Sequence, residues 1–313
     1  MNTINVLVNN SDTHQKLLQS SIIHDLVDLS KSRPLLIVLA KLKVIAQLIR
    51  YDPLRAEILR SGFLDSLFEE NGHLINDSAR QLQTAAFEII LQFIEHNDSR
   101  SSILGHDIFT VLLQKSFSKY PHIRTMAVKV IAASSFQADT YERMLEQSFT
   151  SSLFEAIQQT SFYALSALQV ITFMVPHDTL RHGLLEANLP IYLQEKLGDQ
   201  SNYVIVLVTL KVLSRLLDYE DSRSLLNIEG LIEQTVKLTD HENPNIRQQV
   251  IVMLTTMLKF DHTRKKFLDV DVLFDLKWLL RGQDTEVSMV YCLYEMTKYG
   301  ALVWFSTGWG FLR

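Results

Sequence analysis

Apolar residues recur three and four apart along most of the chain, in long stretches broken by short polar junctions, which is the pattern of amphipathic helices. One apolar block returns seven times, as Leu42-Lys-Val-Ile, Phe87-Glu-Ile-Ile, Val128-Lys-Val-Ile, Leu168-Gln-Val-Ile, Leu210-Lys-Val-Leu, Ile251-Val-Met-Leu and Tyr291-Cys-Leu-Tyr. Successive starts lie 45, 41, 40, 42, 41 and 40 residues apart. A leucine series keeps the same beat at Leu18, Leu59, Leu104, Leu145, Leu185, Leu226 and Leu268, and from Leu59 onward it trails the block by 16 or 17 residues. Two series in constant phase at a period near 40 indicate a solenoid of stacked units, each too small to bury its own apolar face. The only insertion falls around Asn71-Gly72-His73.

Punctuation follows that phase. After each leucine comes Ser21, Gly62, Asp107, Ser148, Asn188, Gly230 or Asp271, types suited to ending one helix or capping the next. Pro34, Pro121 and Pro244 precede their apolar blocks by seven or eight residues, where a first-turn proline costs no hydrogen bond. Pro53 and Pro190 also open helices, and Pro176 follows one. The pattern predicts a short first helix such as 53–60, a second such as 63–70 and a long third such as 78–95 in each unit.

This three-helix layout resembles the armadillo repeat superfamily, as do junctions such as Ser61-Gly-Phe-Leu-Asp-Ser-Leu-Phe68 and Ile228-Glu-Gly-Leu-Ile232. The resemblance implies an all-α, right-handed superhelical solenoid of about six to seven repeats, with two-helix HEAT units as the alternative. It spans 1–299 as a single repeat domain, with units near 31–75, 76–117, 118–158, 159–200, 201–240 and 241–283, partial units at 1–30 and 284–299, and an aromatic tail at 300–313. The chain thus starts and stops in mid-repeat, consistent either with specialised caps or with a piece of a larger protein.

The resemblance also implies a partner segment lying along a concave groove of third helices. On those helices the block position and the second, third and sixth residues after it face the core, leaving the first and fifth as an exposed stripe. The first column reads Lys43, Glu88, Lys129, Gln169, Lys211, Val252 and Cys292; the fifth reads Gln47, Gln92, Ala133, Phe173, Arg215, Thr256 and Met296. Nuclear-import adaptors of the superfamily carry Trp in one column and Asn in the other, and neither occurs here, which argues against a receptor for basic localisation signals. Candidate partner-binding residues are Lys43, Gln47, Glu88, Gln92, Lys129, Gln169, Phe173, Lys211, Arg215 and Thr256. Gln47 and Gln92 suit a peptide backbone. Lys129, Lys211 and Arg215 tilt the middle of the groove toward acidic or phosphorylated segments, and an ordinary solvated face is the competing account.

Composition agrees with helices: Gly and Pro number only 10 and 6 in 313 residues, 47% of which are hydrophobic. The net charge of −5 gives no global attraction to nucleic acid or anionic membranes. Cys292 is alone, excluding an intramolecular disulfide and a multi-thiolate zinc site. The N-terminus lacks a basic, apolar leader and no stretch reaches about 20 uninterrupted apolar residues, so an intracellular, cytoplasmic or nuclear, chain without a membrane span is expected.

Phosphate loops, nucleophile elbows and His-Glu-x-x-His are absent, and no enzyme activity, cofactor or metal is expected. Histidines such as His96, His177 and His182 fall near helix ends. Lys259 and Arg264-Lys265-Lys266 read as a solvated helix end, and Tyr219-Glu220-Asp221 marks the equivalent junction with opposite charge. The tail holds Trp304 and Trp309 and no acid, fitting a cap, a docking segment or an altered chain end. Expected function is a protein-binding scaffold or adaptor, with the regulatory portion of a larger signalling protein or kinase/phosphatase assembly as the alternative.

Overall fold

The computed structural model describes residues 11–29, 34–68, 80–159, 161–198 and 202–269. The two ends of the chain, with Cys292, Met296 and the aromatic tail, lie outside them, as does the insertion near Gly72. Among the described residues the fold is entirely helical.

Helices come in threes. The first three triads are α1 (Ser11–Leu18), α2 (Ile22–Val27) and α3 (Leu35–Leu48); α4 (Asp52–Arg60), α5 (Phe63–Phe68) and α6 (Arg80–Glu95); and α7 (Asn97–Leu104), α8 (Ile108–Ser116) and α9 (Pro121–Ser135). The next is α10 (Tyr141–Met144), entered by a short 3₁₀ turn, with α11 (Gln147–Gln158) and α12 (Ser161–Met174). Then follow α13 (Asp178–Glu186), α14 (Leu189–Gly198) and α15 (Tyr203–Leu217); α16 (Glu220–Leu225), α17 (Ile228–Lys237) and α18 (Pro244–Lys259); and α19 (Asp261–Asp269).

Contacts divide the chain into two compact units, Met1–Phe149 and Thr150–Arg313. In the first, third helices α3, α6 and α9 pack side by side in chain order, and first helices α4 and α7 pack likewise. In the second, α12, α15 and α18 form the same series, with α13 against α16 and α14 against α17. Like packs on like because each unit presents its apolar face to a copy of itself.

The repeated block lies at the core: Leu42, Leu168 and Leu210 are fully buried, and Phe87 and Ile251 nearly so. The leucine series marks the phase but is not the deepest position. In the first four described units Leu18 is exposed and Leu59, Leu104 and Leu145 are half-buried, with Ile58, Ile103 and Met144 just before the last three fully buried, whereas Leu185 and Leu226 are themselves buried. On a helix one residue is a 100° rotation, enough to exchange the core face for its edge.

Two junctions depart from expectation. Ser148 lies inside α11, and Gly230 lies in the first turn of α17, where its N–H donates to the side chain of Asn227, the actual cap. Gly62 and Asn188 do make the predicted turns, with φ of 76° and 64°. A Cβ at Gly62 meets nothing nearer than Asp65 Oδ2 at 3.5 Å, so backbone strain alone opposes a side chain there. Gly62→Ala is expected to lower stability by about 1 kcal/mol, read from the urea midpoint. An unchanged midpoint refutes that cost.

Candidate functional site

The third-helix face builds the candidate site. Lys43, Glu88, Lys129, Gln169, Lys211 and Val252 are all exposed, as their column requires. None of Lys43, Glu88, Lys129 or Lys211 has an ion-pair partner among the described residues.

The fifth-residue column sits deeper, since an i+4 step turns about 40° toward a neighbouring helix. Gln47, Gln92 and Ala133 are half-buried, and Phe173 is 36% exposed. Gln92 Oε1 is buried without a hydrogen-bond partner. Thr256 corrects the sequence expectation of an exposed stripe: it is 5% exposed, with its hydroxyl donating to the Val252 carbonyl at 2.9 Å. A short side chain that bonds its own helix four residues back has no reach outward. Arg215 is exposed but engaged, its Nη1 donating to the Thr172 carbonyl at 2.8 Å, so it ties α15 to α12.

In the first unit, α3 and α6 enclose a cleft of about 610 Å³ beside Lys43, Gln47 and Glu88. Farther along that unit, the Arg80 guanidinium lies 4.0 Å from the Tyr120 ring centre and Lys119 Nζ 5.2 Å from it. The hydrogen bond from Arg80, with the charge of Lys119, pulls the Tyr120 hydroxyl below its ordinary pKa. Among the described residues no three His, Cys, Asp or Glu side chains converge as a metal site, and no helix is long and apolar enough to cross a membrane.

No family model matches the sequence. Solved structures similar to this chain include a designed armadillo repeat protein in complex with the peptide (KR)4, at TM-score 0.54 and 14% identity, covering 75% of this chain and 98% of that one. Computationally designed armadillo repeat proteins for modular peptide recognition match at TM-score 0.52 and 14% identity, over 71% of this chain and 97% of theirs. The fold is an armadillo-repeat fold. A further similarity joins 138 residues, 42% of this chain, to a probable inactive serine/threonine-protein kinase of Dictyostelium discoideum at 28% identity. The match spans 11% of that protein's length.

Within the repeats a set of arginines, Arg55, Arg100 and Arg181 of them buried, holds the first helices in place, and hydrophobic periodicity gives no sign of it. Thirteen residues after the block start stand Arg55, Arg100, Tyr141, Arg181, Arg223 and Arg264. Every arginine of this set donates to the carbonyl six residues earlier, at Ile49, Ile94, Val175, Leu217 and Leu258, closing the C-terminal end of the preceding third helix. Three also reach an aspartate of the following repeat: Arg55 to Asp98 at 2.8 Å, Arg100 to Asp139 at 2.9 Å and Arg181 to Asp221 at 3.1 Å. Arg223 instead lies 3.7 Å over the Phe260 ring.

These contacts correct the reading of two junctions. Asp221 belongs to an ion pair with Arg181, which shares the pattern of the other junctions despite the acidic sequence around it. Arg264 is held by Leu258 and Asp261, and Lys266 pairs with Glu229 at 3.4 Å, so the basic run at 264–266 is mostly committed internally and, among the described residues, Lys265 is exposed with no ion-pair partner.

Proposed function

We propose that this chain is a non-enzymatic protein-binding scaffold that holds partner segments on the exposed faces of its third helices. The observation that carries this is the first column, where Lys43, Lys129 and Lys211 are three exposed cations against the single anion Glu88, none of them ion-paired among the described residues. An ammonium group that forms no internal pair is available to one on a partner, where desolvation strengthens it beyond a surface salt bridge. The same column favours acidic or phosphorylated segments and disfavours a basic peptide such as the (KR)4 held by the designed protein.

Affinity purification of the full chain with mass spectrometry identifies the partner. Reversing Lys129 and Lys211 together to glutamate is expected to abolish its capture with helicity unchanged. Arg215 is left intact, because its bond to Thr172 makes it part of the packing. Retained capture moves the site off this face.

A second reading, the regulatory helical portion of a larger signalling protein, is favoured by the similarity to the Dictyostelium kinase-like protein. Antiserum against this chain that detects an endogenous polypeptide far longer than 313 residues, with a kinase-like domain in it, supports that reading. A band at the length of this chain alone removes it.

A further inference from the structure

The cleft between α3 and α6 has a more apolar wall than the corresponding faces of α6 and α9 in the same unit. Leu36, Leu39, Ala40, Lys43 and Gln47 line it from α3 on one stripe at i, i+3, i+4, i+7 and i+11, and Leu42, Val44 and Ala46 complete that wall. Leu36 is 77% exposed, the most exposed of the large aliphatic side chains described. The same positions one and two repeats on hold Gln81 and Thr84 on α6, and His122 and Thr125 on α9. Within the first unit, the packing of α6 and α9 therefore does not call for leucines at these positions, whereas α12 and α15 of the second unit carry half-buried Phe162 and Leu165, and Val204 and Leu207, there.

Resting on the scaffold reading above, we infer that this cleft is the docking site of an amphipathic helix of a partner protein, anchored by aliphatic side chains. An extended peptide laid on this wall would leave backbone N–H and C=O groups facing leucine and alanine, with the Gln47 amide as the one side-chain amide of the cleft to meet them. A helix satisfies its own backbone and presents only side chains. The stripe runs about 16 Å along α3, some three turns. Ala40, Ala46 and Ala85 keep the walls low, which permits a third helix to approach closely.

Charge sets the guest's polar flanks. Lys43 on one wall and Glu88 on the other line the same cleft without pairing with each other or with any other described residue. The guest accordingly carries an acidic side chain on the flank facing α3 and a basic one on the flank facing α6, with aliphatic residues at i, i+3 or i+4, and i+7 between them.

The test uses the full chain and a phage-displayed, helix-biased library of peptides roughly four turns long. Enriched clones are expected to share the aliphatic stripe with flanking opposite charges, and a proline placed mid-peptide abolishes their binding. Ala40→Trp, which fills the cleft from an exposed position, and Leu36→Asp, which makes its wall polar, are each expected to weaken a synthesised clone at least tenfold at unchanged circular dichroism. Clones lacking an aliphatic stripe, extended acidic or basic clones, an empty selection, or equal binding by both variants each overturn the inference. If the Lys129 and Lys211 reversal abolishes capture of the cellular partner while Ala40→Trp leaves it intact, the scaffold reading stands and the helix-docking inference falls. If Ala40→Trp weakens the clone and the lysine reversal leaves partner capture intact, the docking inference stands without that reading's charged column.

Discussion

Phe93→Ala is expected to destabilise the N-terminal unit by about 3–5 kcal/mol, the range for truncating a fully buried aromatic. Phe93 is wholly inaccessible, six residues into its repeat's apolar block on α6, and α6 packs against α3 on one side and α9 on the other. Its ring lies 6.1 Å from that of Phe63, at a tilt of 45°, so one substitution removes a packed ring pair as well as apolar burial. Partial collapse cannot refill the void, because Ile89, Ile90 and Ile94 beside it are already buried. Urea denaturation gives the magnitude, and hydrogen exchange locates it: protection in α3, α6 and α9 should fall together. A loss under 1 kcal/mol, or faster exchange confined to α6, refutes the account of α6 as the middle layer of this unit.

Arg55→Met is expected to cost about 2–3 kcal/mol although it replaces a charged side chain with an apolar one of similar length. Arg55 is 3% exposed and donates to the Ile49 carbonyl at 3.0 Å, to Asp52 at 2.7 Å and to Asp98 through two nitrogens. Most of the cost comes from the buried carbonyl left without a donor. Asp98 is half exposed, so its share of the ion pair is screened, and Asp98→Asn should cost no more than about 1 kcal/mol. The two variants therefore differ in size though they break the same pair. Acid separates them further. Hydrogen bonds from Arg55 hold the Asp98 carboxyl below its ordinary value of 3.8, so its contribution is complete above that pH and is lost as pH falls through the lower folded value. Below about pH 3.8 the wild type loses this increment and the methionine variant does not. Parallel stability curves between pH 5 and pH 3 would show that Arg55 is not what holds Asp98 ionised.

The helical units were legible because burial enforces a period. A repeat that must bury one face against its copy cannot drift, and Leu42, Phe87, Val128, Leu168, Leu210 and Ile251 report this directly. The exposed column of Lys43 through Val252 was legible for the same reason, one residue of helical rotation away from the core. The fifth-residue column was less so, because whether Thr256 or Phe173 emerges depends on side-chain length and on the neighbouring helix, and apolar spacing encodes neither.

The arginines were missed for a different reason: charge is ordinarily a mark of surface, and the guanidinium groups of Arg55, Arg100 and Arg181 are buried by partners six residues back and some forty ahead. Their signal is nevertheless in the letters, as a column in phase with the apolar block, broken from Arg55 to Arg264 by Tyr141 alone. The cleft beside α3 was not legible at all. It depends on small residues from two helices 45 residues apart, Ala40 and Ala85, and on leucines that periodicity alone assigns to no particular surface.

The arginine column also sets how such a chain can be cut and rejoined. In three repeats the arginine is answered by an aspartate at the opening of the next, Arg55 by Asp98, Arg100 by Asp139 and Arg181 by Asp221, so those repeats carry half of the contact that admits their successor. Joints of that kind accept a duplicated or transplanted repeat that brings the same aspartate and penalise one that does not. The position holding Tyr141 imposes no such condition, and Thr179 stands where Asp98, Asp139 and Asp221 stand in their repeats. By this grammar, a foreign repeat is most readily spliced after Tyr141's repeat, and least readily where an arginine would be left speaking to no one.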